Sequence, residues 1–145
     1  PGSHTWDHTY ITKLSQEGLF ANLNRLDDTL QSIAGVRTAT MRPPGGFVSD
    51  GARQNLAKKG VPAILWSIDT LDWKGLSAQE IADRVSDKLS PGAIILLHAG
   101  AKHSASALPL ILQQIKSQGY EIVPVGELIY PNSKLVDPSG MQLKP

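Results

Sequence analysis

Two short, almost unbroken apolar runs constrain this chain most: Ala63-Ile64-Leu65-Trp66-Ser67-Ile68-Asp69 and Ala93 to Leu97. Each has the length of a strand and neither alternates apolar with polar residues, so each calls for cover on both faces. The cover is written around them. Leu19, Leu23, Leu26, Leu30 and Ile33 recur at spacings of four and three, the stripe of an amphipathic helix that starts after Ser15 and stops at Gly35. Ser49 to Lys59, closed by Gly60, predicts a second helix. Ser77 and Glu80 form a capping box ahead of a third, whose Ile81, Val85 and Leu89 make one face. Leu108, Ile111, Leu112 and Ile115 mark a fourth, with Gly119 past its end. Val36 to Met41 and Tyr120 to Val125 are further predicted strands, and a short helix is expected at Gly126 to Tyr130. The alternation of helix and buried strand predicts an α/β fold with a mainly parallel sheet.

A chain of 145 residues is one domain's worth, with ordinary apolar (41%) and charged (19%) content. The net charge of +1 comes from scattered side chains, which argues against nucleic acid as a partner. Without cysteine there is neither a disulfide nor a thiolate metal site. No apolar run approaches the roughly 18 residues of a spanning helix, so no transmembrane segment is expected, and no signal peptide is read. Residues 1–130 are expected to form the functional domain, and the Pro/Ser/Gly/Lys-rich tail over 131–145 to be loosely held.

The polar residues occupy a telling place. Arg42, Asp69, Asp72 and His98 fall at or just past the C-terminal ends of predicted strands, the rim on which α/β proteins build their sites. At the start of the chain, His4 and His8 are four residues apart. A helical or tightly turned segment would aim both imidazoles at one point, the simplest way to present two metal ligands. The pair alone is equally compatible with surface histidines at chance spacing or with a tag remnant. Asp27-Asp28 lies on the polar side of the first stripe and is expected to be a solvated helix face.

Taken together, these motifs resemble the polysaccharide deacetylases, the NodB-type carbohydrate esterases. His4-Thr5-Trp6-Asp7-His8 is similar to the family's His-[Ser/Thr]-x-x-His metal motif, and Arg42-Pro43-Pro44-Gly45-Gly46 to its Arg-Pro-Pro-aromatic-Gly motif. Asp72-Trp73 resembles its Asp-Trp motif, and Leu96-Leu97-His98 its Leu-x-His motif. The resemblance runs from His4 to about Leu128. It implies a distorted, incomplete (β/α) barrel and metal-dependent removal of acetyl groups from N-acetylglucosamine polymers or O-acetylated sugars. His4 and His8 are implied as ligands of a divalent metal, zinc first, with cobalt or nickel as alternatives. Arg42 is implied to orient the catalytic-base aspartate, His98 to protonate the leaving amine, and Asp72 to hold that imidazole. Trp73, Leu96 and Pro43 are implied as substrate-contacting residues, and the Gly45 backbone as an oxyanion donor.

Two departures carry expectations. Gly45 stands where the family has an aromatic residue, so the sugar contacts of that ring are expected to be lost while the chemistry is kept. The family's first motif, Thr-Phe-Asp-Asp, which supplies the base and the third ligand, is absent. An N-terminal segment of the same domain, carrying that motif and the first barrel strands, is expected to complete the site as a separate piece. The substrate is expected to be an acetylated polysaccharide such as peptidoglycan or a chitin-like glycan, handled outside the cell or at the cell wall. An acetylxylan-type O-esterase and an inactive carbohydrate-binding relative are the alternatives.

Overall fold

The computed structural model describes residues 1–130, 137 and 141–144, arranged as two compact units, Pro1–Leu65 and Trp66–Pro145. In the first unit, local signals delimit both helices. Ser15 accepts a hydrogen bond from the Gly18 N–H at 3.1 Å and starts α1, Gln16–Ala34, which Gly35 ends at φ 67°. Ser49 caps α2, Asp50–Lys59, through the Ala52 N–H, and Gly60 ends it at φ 73°. The strands are shorter than expected. β1, Gly2–Ser3, runs parallel to β2, Thr40–Met41, with Gly2 opposite Thr40 and Ser3 opposite Met41. Met41 also bridges Ala63 in parallel. Apart from the Ala39 N–H, which donates to the Pro1 carbonyl at 3.3 Å, the rest of Val36–Met41 makes no strand pairing among the described residues.

One face of α1 and one of α2 close over this strand pair. Ile11, Leu19, Leu23, Met41, Ala52, Leu56 and Val61 form the core of the unit. The α1 stripe does not reach its predicted end: Leu26 and Leu30 are half-buried and Ile33 is 79% exposed. Asp27, expected to be solvated, is buried instead. Its Oδ1 accepts from the Thr38 N–H at 2.9 Å and the Thr38 hydroxyl at 2.7 Å, fastening the segment that enters β2. Asp28 is on the exposed face, paired with Arg37 at 2.9 Å. A solvated pair of that kind contributes about 1 kcal/mol at most.

In the second unit, β3, Ile68–Asp69, pairs in parallel with β4, Ile95–Leu96, with Asp69 opposite Leu96. The predicted capping box is present. The Glu80 carboxylate accepts from the Ser77 N–H at 2.8 Å, and the Ser77 hydroxyl accepts from the Glu80 N–H at 3.3 Å. It opens α3, Ala78–Ser86. α4, Ser104–Ser117, packs against α3 around Ile68, Ile81, Ala82, Val85, Ala107, Ile111 and Ile115. The α4 face is rotated from the predicted one: Ala107 is fully buried, whereas Leu108 and Leu112 are exposed. Two alanines, Ala82 and Ala107, sit in this core with no exposure, and small side chains let helices approach closely.

Tyr120–Val125 is no strand. Pro124 cannot donate to a ladder, Ile122 is half exposed, and a short helix, α5, Val125–Leu128, takes over the end of the run. Most of the tail expected to be loosely held, 131–136, 138–140 and 145, lies outside the described residues. Among the described residues no helix is long and apolar enough to cross a membrane. The burial contrast along α1 predicts that Leu19→Ala lowers stability by about 2–5 kcal/mol in urea denaturation. Ile33→Ala, from the same stripe, is expected to stay within about 0.5 kcal/mol.

Candidate active site

In the first unit the chain leaves β1 directly into the histidine segment. The segment is a turn rather than a helix: Thr5 and His8 have φ of 62° and 61°, a left-handed conformation that a β-branched residue adopts only under strong local constraint. The Ser3 hydroxyl, buried with its residue, accepts from the Thr5 N–H at 3.2 Å and holds the first of them. The turn brings the His4 and His8 rings to 4.9 Å between centroids, edge to face.

His4 Nδ1 lies 2.5 Å from the carbonyl oxygen of Arg42. A carbonyl can only accept, so Nδ1 carries a proton, which in the neutral ring leaves the lone pair on Nε2. That is the tautomer a metal-ligating histidine uses, with its other nitrogen anchored on a backbone acceptor. The donor set therefore fits a divalent cation in part. Among the described residues no group of three or more His, Asp or Glu side chains comes together to hold one.

The Arg42 that supplies this carbonyl sits one residue past β2. Its backbone N–H donates to the Ser3 carbonyl at 2.8 Å, so the β1–β2 pairing itself sets the position of His4 against Arg42. The guanidinium is half-buried, and that burial draws its pKa downward. It makes no hydrogen bond or ion pair with the other described residues. Pro43 is fully buried, and Gly45, at φ 64°, lies exposed at the tip of the following turn.

In the second unit, the segment from β3 to Asp72 is pinned at each step. The Arg84 guanidinium on α3 donates to the Asp69 carbonyl at 3.1 and 3.2 Å. The Asp69 side chain accepts from the Leu71 N–H at 2.9 Å, and the buried Thr70 hydroxyl donates to the Leu96 carbonyl at 2.7 Å. Asp69 is thus a support for the loop. Asp72 follows with no exposure at all.

Three donors converge on that carboxylate. His98 Nδ1 reaches Oδ1 at 2.7 Å, while the His98 N–H and the Ser104 hydroxyl reach Oδ2 at 2.7 and 2.5 Å. Burial alone would raise the pKa of Asp72. The bond from Ser104, with those from the His98 ring and backbone, outweighs it and holds the carboxyl below its ordinary value. His98 keeps 35% of its side chain exposed, and with Nδ1 fixed on Asp72 its Nε2 is the nitrogen left for proton transfer. Leu96 is buried at 5% exposure, and Trp73 is 59% exposed with the Lys74 ammonium 5.2 Å from its ring centroid.

Ser104 is a part of this cluster that the sequence reading missed. The available signal was a small hydroxyl residue at the first position of a helix that follows closely on His98. An imidazole held by a buried carboxylate is an acid–base pair of the kind hydrolases use.

The comparisons agree with that class. Residues 2–64 match the polysaccharide deacetylase family. The peptidoglycan-N-acetylglucosamine deacetylase PgdA of Listeria monocytogenes is 37% identical over 127 residues, 88% of this chain and 27% of the relative. A deacetylase solved with substrate is 35% identical, with a TM-score of 0.81 over 88% of this chain and 62% of that one. A family 4 carbohydrate esterase pseudoenzyme from Bacillus anthracis is 27% identical, with a TM-score of 0.81 over 88% of this chain and 45% of that one. These likenesses are to the polysaccharide deacetylase family, whose model matches residues 2–64 of this chain. The chain's α/β class and parallel strand pairs accord with the expected partial (β/α) barrel, and the chain spans about a quarter of the length of the PgdA relative.

A carboxylate whose folded pKa is depressed stabilises the fold above its unfolded value, near 3.8, and loses that contribution as pH falls through the lower folded value. Ser104→Ala removes one donor and is expected to cost about 1.5–3 kcal/mol near neutral pH. It should also narrow the gap between the two pKa values, so that the difference from wild type shrinks once both states are protonated. Urea midpoints between pH 7 and pH 2 check both effects.

Proposed function

We propose that this chain carries most of the active site of a metal-dependent deacetylase acting on N-acetylglucosamine-containing polysaccharide, peptidoglycan in the first instance. The observation that carries the reading is the buried Asp72 carboxylate holding His98 Nδ1 at 2.7 Å. Such a pair is of use to a group-transfer site and of little use to a surface that only binds. The likeness to PgdA supports glycan deacetylation as the reaction.

A divalent metal bound through His4 and His8, zinc ahead of cobalt or nickel, would supply carbonyl polarisation and a water acidified toward a pKa of about 7. The rest falls to the chain itself. His98, protonated at Nε2, gives its proton to the leaving amine, and Asp72 stabilises the imidazolium and fixes its orientation. By the family resemblance, the Gly45 N–H would serve as a donor to the developing oxyanion. By the same resemblance, Trp73 and Leu96 in the second unit are proposed as substrate-contacting residues, as is Pro43 in the first, which is fully buried in the structure. Arg42, a half-buried cation with no anionic partner among the described residues, fits a role of holding a carboxylate base and keeping it ionised. That base and a third metal ligand are proposed to come from a segment of the domain that this chain does not span. An extracellular or wall-associated location follows from the substrate, and cell fractionation tests it.

A second reading is favoured by one observation: the solved structures that resemble this chain include a family 4 carbohydrate esterase pseudoenzyme. On that reading the chain binds glycan without cleaving it.

Metal analysis and acetate release from N-acetylglucosamine oligomers, with acetylated xylan as comparison, separate these readings. The deacetylase reading expects release from the amide substrate that chelation abolishes, and a loss of about 10²–10⁴ in kcat for His98→Ala. Release from xylan alone would move the assignment to an O-esterase. Glycan binding with no release from either substrate, even with the missing segment supplied, would establish the pseudoenzyme.

A further inference from the structure

The Gly45 exchange was expected to strip the site of an aromatic contact to sugar. The structure shows rings in that space. A Cβ built on Gly45 would lie 2.8 Å from both Cδ2 and Cε2 of Phe47 and 3.5 Å from Cε1 of Tyr10. Phe47 therefore leans over the glycine so closely that its ring would have to shift for any side chain at 45. The Gly45 φ of 64° disfavours any other residue there for a second, independent reason.

Tyr10 and Phe47 meet edge to face with centroids 5.5 Å apart, and both are solvent-facing, at 37% and 55% exposure. Neither ring belongs to the core of the unit. The pair also continues the histidine turn: His8 and Tyr10 are 6.2 Å apart, and His4 and His8 are 4.9 Å apart. Beside Tyr10 the surface dips into an open depression lined by His8, Thr9, Tyr10 and Lys13, with the Lys13 ammonium 5.5 Å from the Tyr10 ring centroid.

We propose that Tyr10 and Phe47 form a carbohydrate-stacking subsite next to the histidine pair, which receives a pyranose ring of the N-acetylglucosamine polymer. The chemistry of the two partners matches. The axial C–H groups of a pyranose present an apolar, slightly positive face, and the aromatic ring presents a negative one. Thr9 and Lys13 place polar groups at the rim, where the equatorial hydroxyls of a stacked sugar would emerge. The two exposed rings thereby account for how a chain with glycine at position 45 retains hold of a glycan. This inference rests on the deacetylase reading for the identity of the polymer, but its test does not depend on turnover.

Binding of soluble N-acetylglucosamine oligomers, from monomer to tetramer, is measured by calorimetry and saturation-transfer NMR on the full chain, with acetate release followed in parallel. Tyr10→Ala and Phe47→Ala are expected to weaken tetramer binding about tenfold each and to flatten the gain in affinity with oligomer length. Tyr10→Phe and Phe47→Tyr keep the rings and are expected to bind as wild type, which separates stacking from a loss of fold. Saturation of the protein's aromatic protons is expected to pass most strongly to the axial C–H protons of the sugar in wild type.

Unchanged tetramer affinity in both alanine variants, or no oligomer binding by the wild-type chain, would overturn the subsite. Acetate release that persists in either case would leave the deacetylase reading standing on its own.

Discussion

The second unit depends on one buried charge. Asp72 has no exposure, and an ionised carboxylate without solvent persists only when its lone pairs are filled. Here two donors come from His98 and one from Ser104, so the loop after β3, the residue beyond β4 and the start of α4 are all tied to one pair of oxygens. The arrangement has a structural consequence and a chemical one that cannot be separated. The bonds that keep Asp72 ionised also fix the orientation of the His98 ring.

The first unit solves a similar problem with backbone instead of charge. The β1–β2 pairing places the Arg42 N–H on the Ser3 carbonyl, and the Arg42 carbonyl then accepts from His4 Nδ1. A strand pair of only two residues on each side thus fixes an imidazole tautomer. Asp27 adds a tether from the other end of the segment by binding Thr38, which leads into β2. Small strands suffice because each is anchored by side chains outside the ladder.

How much of this was legible in the sequence follows from how local each signal is. The caps at Ser15 and Ser77 and the stops at Gly35 and Gly60 involve neighbours within a few residues, and all four stand as predicted, while Ser49, read as the first residue of its helix, is its cap. Strand lengths were not legible, because pairing is decided by a partner strand and the apolar pattern extends beyond the part that is paired. The α4 face was misjudged because leucine was given more weight than alanine, while helix packing at Ala82 and Ala107 selects for small size. Asp27 was assigned to solvent because only its place on the stripe was visible; its partner is 11 residues away. Of the candidate site, Asp72 and His98 are separated by 26 residues and Asp72 and Ser104 by 32. The family's motifs marked the first pair but contained nothing that pointed to Ser104, nor to Phe47 as the ring beside Gly45.

Backbone strain gives an independent indication of where function lies. Among the described residues, three that are not glycine have positive φ, namely Thr5, His8 and Leu71. Thr5 and His8 lie in the histidine turn, and Leu71 immediately precedes Asp72. Each such conformation costs on the order of 1–3 kcal/mol and persists only where surrounding contacts over-determine it. Those contacts are present at two of the three, in the Ser3 bond to the Thr5 N–H and the Asp69 bond to the Leu71 N–H. The Thr5 hydroxyl adds a further cost, since it is buried without a hydrogen-bond partner among the described residues. A chain that needed only to fold could relax these positions by exchanging residues. Both turns instead give up stability, one where the chain carries His4 and His8 and the other where it enters Asp72.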